Sequence, residues 1–458
     1  MSFDLMIRGG RVVTPGATIE GSVLVKDGRI AAVVAEELIP HELDAERVID
    51  ARGKYVLPGM VDAHVHIGEP GQEEREDIPH ATRAAAAGGV TTVVVMPNVI
   101  PCVNSAQRLL DREKLFARKS LVDYALFGGA GVELPGNIVP QAEAGAAGYK
   151  SYIRAFNPER KGLICQDAGD LYIMMKEVEK SGRTVAMHAE DDPLINTLIA
   201  ELRKEGRVGF GDFISSRPET TEVLAVIRLC EMAYFTGVRL SICHVSSPRA
   251  AEYILDWKDR GADIVMETCP GYLMFSNEDT ERVGSYAQVV PPLREKEKSD
   301  RLREMVQRGY IDYIGTDHAP GVPEEKAMGR EDIFTSGGGL PGLETTLPWM
   351  LDEVNRGSWD IETVCELFSQ RPAEVFDLYP QKGCLVSGSD ADMVIVDMEA
   401  ETTFRADEMF TMGKDASLLY DGMTVRGIPI TTLVRGQVVM QDGRITGELG
   451  SGSWVRPK

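Results

Sequence analysis

No stretch of the chain approaches the roughly 18 consecutive apolar residues that a membrane-spanning helix requires. The first residues, Met1-Ser2-Phe3-Asp4-Leu5, lack the basic segment and small-residue cleavage site of a secretory signal, so a cytoplasmic location is expected. Basic residues are scarce: 49 Lys and Arg stand against 71 Asp and Glu, for a formal charge of −22. That balance argues against nucleic-acid or anionic-membrane partners, which need basic patches. Cysteines are few and scattered, at 102, 165, 230, 243, 269, 365 and 384. No Cys-x-x-Cys pair suggests a zinc ribbon or a redox motif, and most of these thiols are expected to serve as small buried hydrophobes. Histidine is also rare, at seven in 458 residues, which makes the placement of each one informative.

What is present begins with short alternating strands over residues 3 to 55, broken by turn signals such as Asp27-Gly28. The same grammar returns in Ala391–Val396, Thr432–Gly436 and Val438–Ile445. Asp27-Gly28-Arg29-Ile30 is matched by Asp442-Gly443-Arg444-Ile445, so the two ends of the chain are expected to build one small β-sandwich domain from residues 1–55 and 381–458.

Between 56 and 380 the pattern changes to apolar strands alternating with helices, the signature of βα units. Eight strands are predicted: Val61–His66, Thr91–Met96, Asp123–Phe127, Gly148–Ile153, Thr184–His188, Arg239–His244, Asp263–Thr268 and Ile311–Thr316. A helix over Asp170–Lys180 follows from Leu171, Met174, Met175 and Val178, with a stop at Gly182. The expected fold is α/β, a (β/α)8 TIM barrel, in a chain too long for a single core.

In such a barrel, chemistry sits at the C-terminal ends of the strands. His64 and His66 alternate on the first strand and so face the same side, as a chelate would require. His188 and His244 end the fifth and sixth strands, and Asp317-His318 follows the eighth. Singly, each histidine could be a satisfied core residue and Asp317 a helix cap. Their joint placement is what makes a metal centre the better reading. Lys150 on the fourth strand is the odd member, because an ammonium does not bind metal and a buried lysine is rare unless paired or functional. Pairing with an acid such as Glu190 is one reading. Carboxylation by carbon dioxide, which yields a carbamate able to bridge two cations, is the other.

This set of Asp-x-His-x-His, a fourth-strand lysine, two strand-end histidines and a final aspartate resembles the amidohydrolase superfamily. The likeness is closest to its cyclic-amidohydrolase branch of hydantoinases, allantoinases, dihydropyrimidinases and dihydroorotases, above all to allantoinase and L-hydantoinase. It covers nearly the whole chain, including Ser246-Ser247-Pro248, Pro291-Pro292-Leu293-Arg294 and Pro341-Gly342-Leu343-Glu344. The resemblance implies two divalent cations, most often zinc, with manganese, cobalt or iron also suited to these ligands. His64, His66, carboxylated Lys150 and Asp317 would hold one, and the same carbamate with His188 and His244 the other. Asp317 would also be the catalytic proton carrier, and Asn98, Arg154, Val290 and Gly338 would contact substrate. A homo-oligomer, dimer or tetramer, is implied as well, acting on a small cyclic amide.

Departures from the family bear on which ring is opened. Dihydroorotases carry an arginine two residues after the second histidine, where this chain has Gly68. Dihydropyrimidinases and D-hydantoinases carry a tyrosine five residues beyond the lysine, where this chain has Ala155. The run from Glu205-Gly206-Arg207-Val208 to Ser215-Ser216-Arg217-Pro218-Glu219 is most similar to allantoinase. Arg154 fits no family pattern and could face the substrate or pair with an acid outside. The loop 155–162 suits a lid over the site. A hydantoin- or allantoin-like ring is therefore expected, with dihydroorotase and dihydropyrimidinase as alternatives and a non-catalytic scaffold as a remote one. A preferred substrate without an obligatory carboxylate follows from Gly68 and the net charge.

Overall fold

A computed structural model describes residues 2–39, 45–131, 136–154 and 158–458. The N-terminal strands are β1 (Phe3–Thr14), β2 (Ala17–Lys26), β3 (Arg29–Ala35), β4 (Ala45–Asp50) and β5 (Tyr55–Pro58). Eight short strands follow: β6 (Met60–Val65), β7 (Val90–Val95), β8 (Asp123–Gly129), β9 (Gly148–Tyr152), β10 (Val185–His188), β11 (Leu240–Ile242), β12 (Ile264–Thr268) and β13 (Tyr313–Ile314). The chain ends with β14 (Met393–Thr403), β15 (Thr424–Val434), β16 (Gln437–Gln441) and β17 (Arg444–Ile445).

The strands β6 to β13 pair in parallel and in sequence order, with helices between them, as the alternating pattern predicts. The predicted helix is observed over Ala168–Ser181, where Leu171, Met174, Met175 and Val178 are buried and Asp167 caps the start by accepting from Asp170 N at 2.9 Å. Gly182 stops it at φ +68°, a conformation glycine adopts without strain.

The barrel closes where its first and last strands meet. A parallel bridge joins Val65 to His318, and His66 N donates to His318 O at 2.8 Å. Asp62, buried on β6, accepts from His64 N and Thr316 N at 3.1 Å each and from Thr316 Oγ1 at 2.6 Å. The seam that closes the sheet therefore also brings Asp317 beside His64 and His66.

Both ends of the chain contribute to a nine-stranded sheet with the order β17-β16-β15-β14-β5-β1-β2-β3, in which β4 pairs in parallel with the first half of β1, along the edge whose second half holds β5. Leu5, Val12 and Val23 from one terminus share a core with Met393, Ile395 and Leu433 from the other. The hairpin signals hold: Asp27 and Gly28 sit at φ 50° and 72°, and Asp442 and Gly443 at 49° and 73°. All seven cysteines are buried. No helix among the described residues is long and apolar enough to cross a membrane.

Candidate metal centre

The six residues singled out as ligands converge at the C-terminal mouth of the barrel. His64 and His66, two positions apart on β6 and just beyond it, direct their Nε2 atoms at one oxygen: Asp317 Oδ1 lies 3.2 Å from His64 Nε2 and 3.0 Å from His66 Nε2. Across the mouth, His188 Nδ1 faces His244 Nε2 at 3.0 Å. The His64 ring lies 5.6 Å from that of His244, centroid to centroid, so the two groups adjoin. Donors around a small tetrahedral cation, bound at about 2.0–2.1 Å, stand about 3.3 Å apart. The spacings here are close to that edge length, so the donor set fits the cations that the residue types imply.

Two of these residues adopt a backbone that side-chain-bearing residues avoid. His244 has φ 40° and Asp317 φ 48°, both left-handed, at a cost of order 1 kcal/mol each. Such strain persists where the surrounding fold overdetermines it, and here it turns each side chain into the mouth.

Between the two groups lies Lys150, fully buried. Its Nζ is 3.0 Å from Cys243 Sγ and 3.5 Å from His64 Nε2, and among the described residues it pairs with no carboxylate. The alternative of a Glu190 partner fails, because Glu190 is engaged elsewhere: Oε2 accepts from His188 Nε2 at 2.9 Å and from Arg154 Nη1 at 3.2 Å, and Oε1 lies 3.4 Å from Arg217 Nε. A fully buried ammonium without a counter-ion is costly. A carbamate at this position would carry the opposite charge and would suit cations held by the imidazoles around it.

Each outward-facing imidazole nitrogen on three of the histidines has an acceptor behind it. His64 Nδ1 meets Glu267 Oε1 at 2.8 Å, His66 Nδ1 meets Asn98 Oδ1 at 2.7 Å, and His188 Nε2 meets Glu190. These contacts assign the proton to the far nitrogen and leave a lone pair facing the mouth, the arrangement metal-binding histidines need. Burial holds His64 and His244 well below the ordinary imidazole range and lowers His188 too, so all three are neutral at neutral pH. Burial alone would raise the Asp317 carboxyl, but the imidazoles of His64, His66 and His244 hold it well below its ordinary value. Glu267 is pushed up to about 7, chiefly by burial.

Above this centre is a cavity of about 330 Å³. Asn98, Val290 and Gly338 line it, as expected from the sequence. Arg154 is the correction. It does not line the cavity among the described residues; its guanidinium is buried against Glu190 and, through Nε at 3.0 Å, Asp192. Strand β9 ends facing the carboxylates that follow β10, which places the guanidinium against them. Gly68 has a steric reason: a Cβ there would stand 2.0 Å from Gln72 O, so the loop as folded admits no side chain. Of the expected lid, 155–157 lie outside the described residues, and Pro158–Leu163 forms a short 3-10 helix.

Sequence reasoning missed Glu267, Tyr152 and Arg75. Glu267 lies near the C-terminal end of β12, a position that could have been read as the histidines were. Tyr152, two residues after Lys150, lines the cavity with its ring centroid 5.2 Å from Lys150 Nζ. Arg75 sits in an irregular loop whose path no periodicity reveals.

A model of the amidohydrolase family matches residues 55–439, and one of the allantoinase composite domain matches residues 5–51. The chain is 38% identical to an allantoinase of Bacillus velezensis, over all of this chain and 98% of that protein. It is 36% identical to an L-hydantoinase of Paenarthrobacter aurescens, over 99% of this chain and 98% of that one. Among solved structures, an L-hydantoinase (dihydropyrimidinase) from Arthrobacter aurescens superposes with a TM-score of 0.94 at 35% identity, covering 99% of this chain and 100% of its own. A D-hydantoinase from Thermus sp. superposes at 0.89 and 27% identity, with 99% of both chains covered.

Proposed function

The chain belongs to the amidohydrolase family, and from that premise we propose that it opens a cyclic amide of the hydantoin or allantoin type by hydrolysis at a binuclear metal centre. The observation that carries the reading is the convergence of His64, His66 and Asp317 with His188 and His244 around a buried, unpaired Lys150. In this reading the neutral Lys150 amine adds to carbon dioxide, forming an N–C bond and releasing a proton. With that carbamate, His64, His66 and Asp317 would hold one cation and His188 and His244 a second, both taken to be zinc.

When bound, the cations supply a water acidified toward neutral pH and a polarised ring carbonyl. Asp317, ionised at neutral pH, takes the proton from the attacking water. As the C–N bond breaks, it delivers that proton to the departing ring nitrogen, and the water oxygen ends in the new carboxylate. Glu267, Asn98 and Glu190 keep three imidazoles in one orientation throughout. Asn98 therefore acts on substrate only through what its amide has left after meeting His66. The division into residues 1–55 and 381–458 around a catalytic unit of 56–380, a cytoplasmic setting and a homotetramer belong to the same reading.

The test is a hydrolysis screen over hydantoin, substituted hydantoins, allantoin, dihydrouracil and dihydroorotate, with divalent metal added, beside a metal analysis of the purified protein. Turnover of the hydantoins or of allantoin, and two metals per chain, are expected. Dihydroorotate should be a poor substrate, because Gly68 leaves no room for a guanidinium at that position. A preference for dihydroorotate, or a protein that binds no metal, sinks the reading. Lys150→Ala should abolish turnover and lower the metal content, with partial rescue by added short carboxylates.

A further inference from the structure

The metal centre accounts for one end of the cavity; its outer end holds a group that the hydrolysis does not use. Apart from Lys150, taken up by the proposed carbamate, Arg75 is the one lysine or arginine among the described residues lining the cavity. In a chain with a charge of −22, a guanidinium placed on that wall is a distinctive feature. Its backbone is fixed by a tight loop, in which Gln72 N donates to Gly68 O at 2.9 Å, Arg75 N to Gln72 O at 3.1 Å and Gly68 N to Glu76 O at 2.8 Å.

The guanidinium is oriented by one partner. Nη2 donates to both carboxylate oxygens of Glu325, and these are its hydrogen bonds among the described residues, while Nε is buried with no acceptor. The opposing wall makes room for this pair. A Cβ at Gly337 would come within 2.9 Å of Glu325 Oε2, so glycine there leaves the carboxylate free to hold the arginine. Lys326 fixes the same wall by donating from Nζ to Gln288 O at 3.1 Å and to Gly339 O at 2.8 Å. The result is a guanidinium held through one nitrogen, Nη2, with donor capacity left over on the others.

Resting on the hydrolysis proposed above, we infer that Arg75 reads the substituent carried by the substrate ring, and that this substituent presents an oxygen acceptor, a ureido carbonyl or a carboxylate, rather than an aryl or alkyl group. A buried or half-buried donor facing an apolar substituent is left unpaired, and a site built to hydrogen-bond a polar group discriminates strongly against analogues lacking it. The inference also revises the sequence-based expectation that Arg154 is the one nearby cation able to meet an anionic substrate: that role falls to Arg75.

The experiment compares kcat/KM of the metal-loaded enzyme for three hydantoin-type rings that differ in the 5-substituent: ureido, carboxymethyl and benzyl. Arg75→Leu should lower the ratio of the better polar substrate to the benzyl ring at least ten-fold, mainly through KM, and Arg75→Lys should recover part of it. Whichever polar ring falls further identifies the acceptor as carbonyl or carboxylate. Glu325→Gln, which weakens the hold on Nη2, should leave the polar preference intact. An equal fall on all three rings in Arg75→Leu, reproduced by Glu325→Gln, would make the pair a structural strut and overturn the inference. So would an unchanged ratio, or a wild-type preference for the benzyl ring. Turnover of none of the rings removes the proposed hydrolysis and this inference with it, whereas turnover insensitive to Arg75 removes the inference alone.

Discussion

At the scale of single residues, the centre is built as much from the atoms behind the imidazoles as from the imidazoles. Glu267 is fully buried, takes His64 Nδ1 at 2.8 Å and also accepts from His244 N at 3.1 Å, so one carboxylate orients a histidine of each half of the centre. Removing it leaves His64 free to turn or to change tautomer. Glu267→Ala is therefore expected to weaken metal binding roughly 10- to 100-fold, the range found for acceptors behind metal-binding histidines. Titration of the apoprotein with zinc against a competing chelator measures this without reference to turnover. Glu267→Gln, which retains an oxygen acceptor, should lie between the two. An affinity unchanged in the alanine variant would show that packing alone holds the ring.

At the scale of elements, the segment Phe410–Gly413 from the C-terminal part of the chain is clamped under the barrel mouth by two buried carboxylates. Glu344 accepts from Phe410 N and Thr411 N, at 3.0–3.1 Å, and Glu76 accepts from Thr411 Oγ1 at 2.5 Å and lies 3.6 Å from His318 Nε2. Burial raises the Glu344 carboxyl to about 7, against the lowering effect of the backbone donors of Phe410 and Thr411. A carboxyl with a folded-state pKa above its unfolded value binds more protons when folded. Its contribution is present at low pH and is lost as pH rises from the unfolded value of 4.5 to about 7. Unfolding by urea should then show wild-type stability falling across that window relative to Glu344→Gln, by up to roughly 1.4 kcal/mol per pH unit. A difference between the two proteins that does not vary with pH would show that Glu344 does not ionise on that scale.

At the scale of the whole molecule, the barrel and the sheet from the two termini are joined through a buried cation. Lys382 Nζ lies 2.5 Å from Asp123 Oδ2 at the start of β8, 2.7 Å from Asp392 Oδ2 and 3.0 Å from Asp390 Oδ2. Asp123 is shared further, accepting from Ser453 N at 2.7 Å and from Arg435. One lysine thus holds three aspartates that would otherwise repel one another out of water. Lys382→Met keeps the aliphatic bulk but strands those charges, so a loss of about 3–5 kcal/mol is expected by chemical unfolding. If the three aspartates are simultaneously made asparagine, most of that loss should return. No recovery would mean that the lysine stem, not its charge, matters.

The barrel, the composite sheet and the six candidate residues that meet at the barrel mouth were all legible in the residues, because each rests on a short-range rule. Alternation assigns faces on a strand, Asp-Gly marks the hairpins at Asp27 and Asp442, and His64 with His66 must share a face whatever surrounds them. The sequence also singled out the six residues that the structure brings together at the barrel mouth. What it could not determine was direction and company over long range. Arg154 follows the fourth strand and was as eligible for the cavity as for a surface pair, yet the positions of Glu190 and Asp192 turn it into a buried ion pair. Arg75 lies in a loop with no periodicity, and only the packing of Glu325, with Gly337 beside it, holds its guanidinium at the cavity wall. Glu267 is one more apolar-strand acid until the closed barrel sets it behind His64. Local patterns record which face a side chain takes; which partner stands across that face depends on how distant strands close into a ring, and that only the tertiary structure decided.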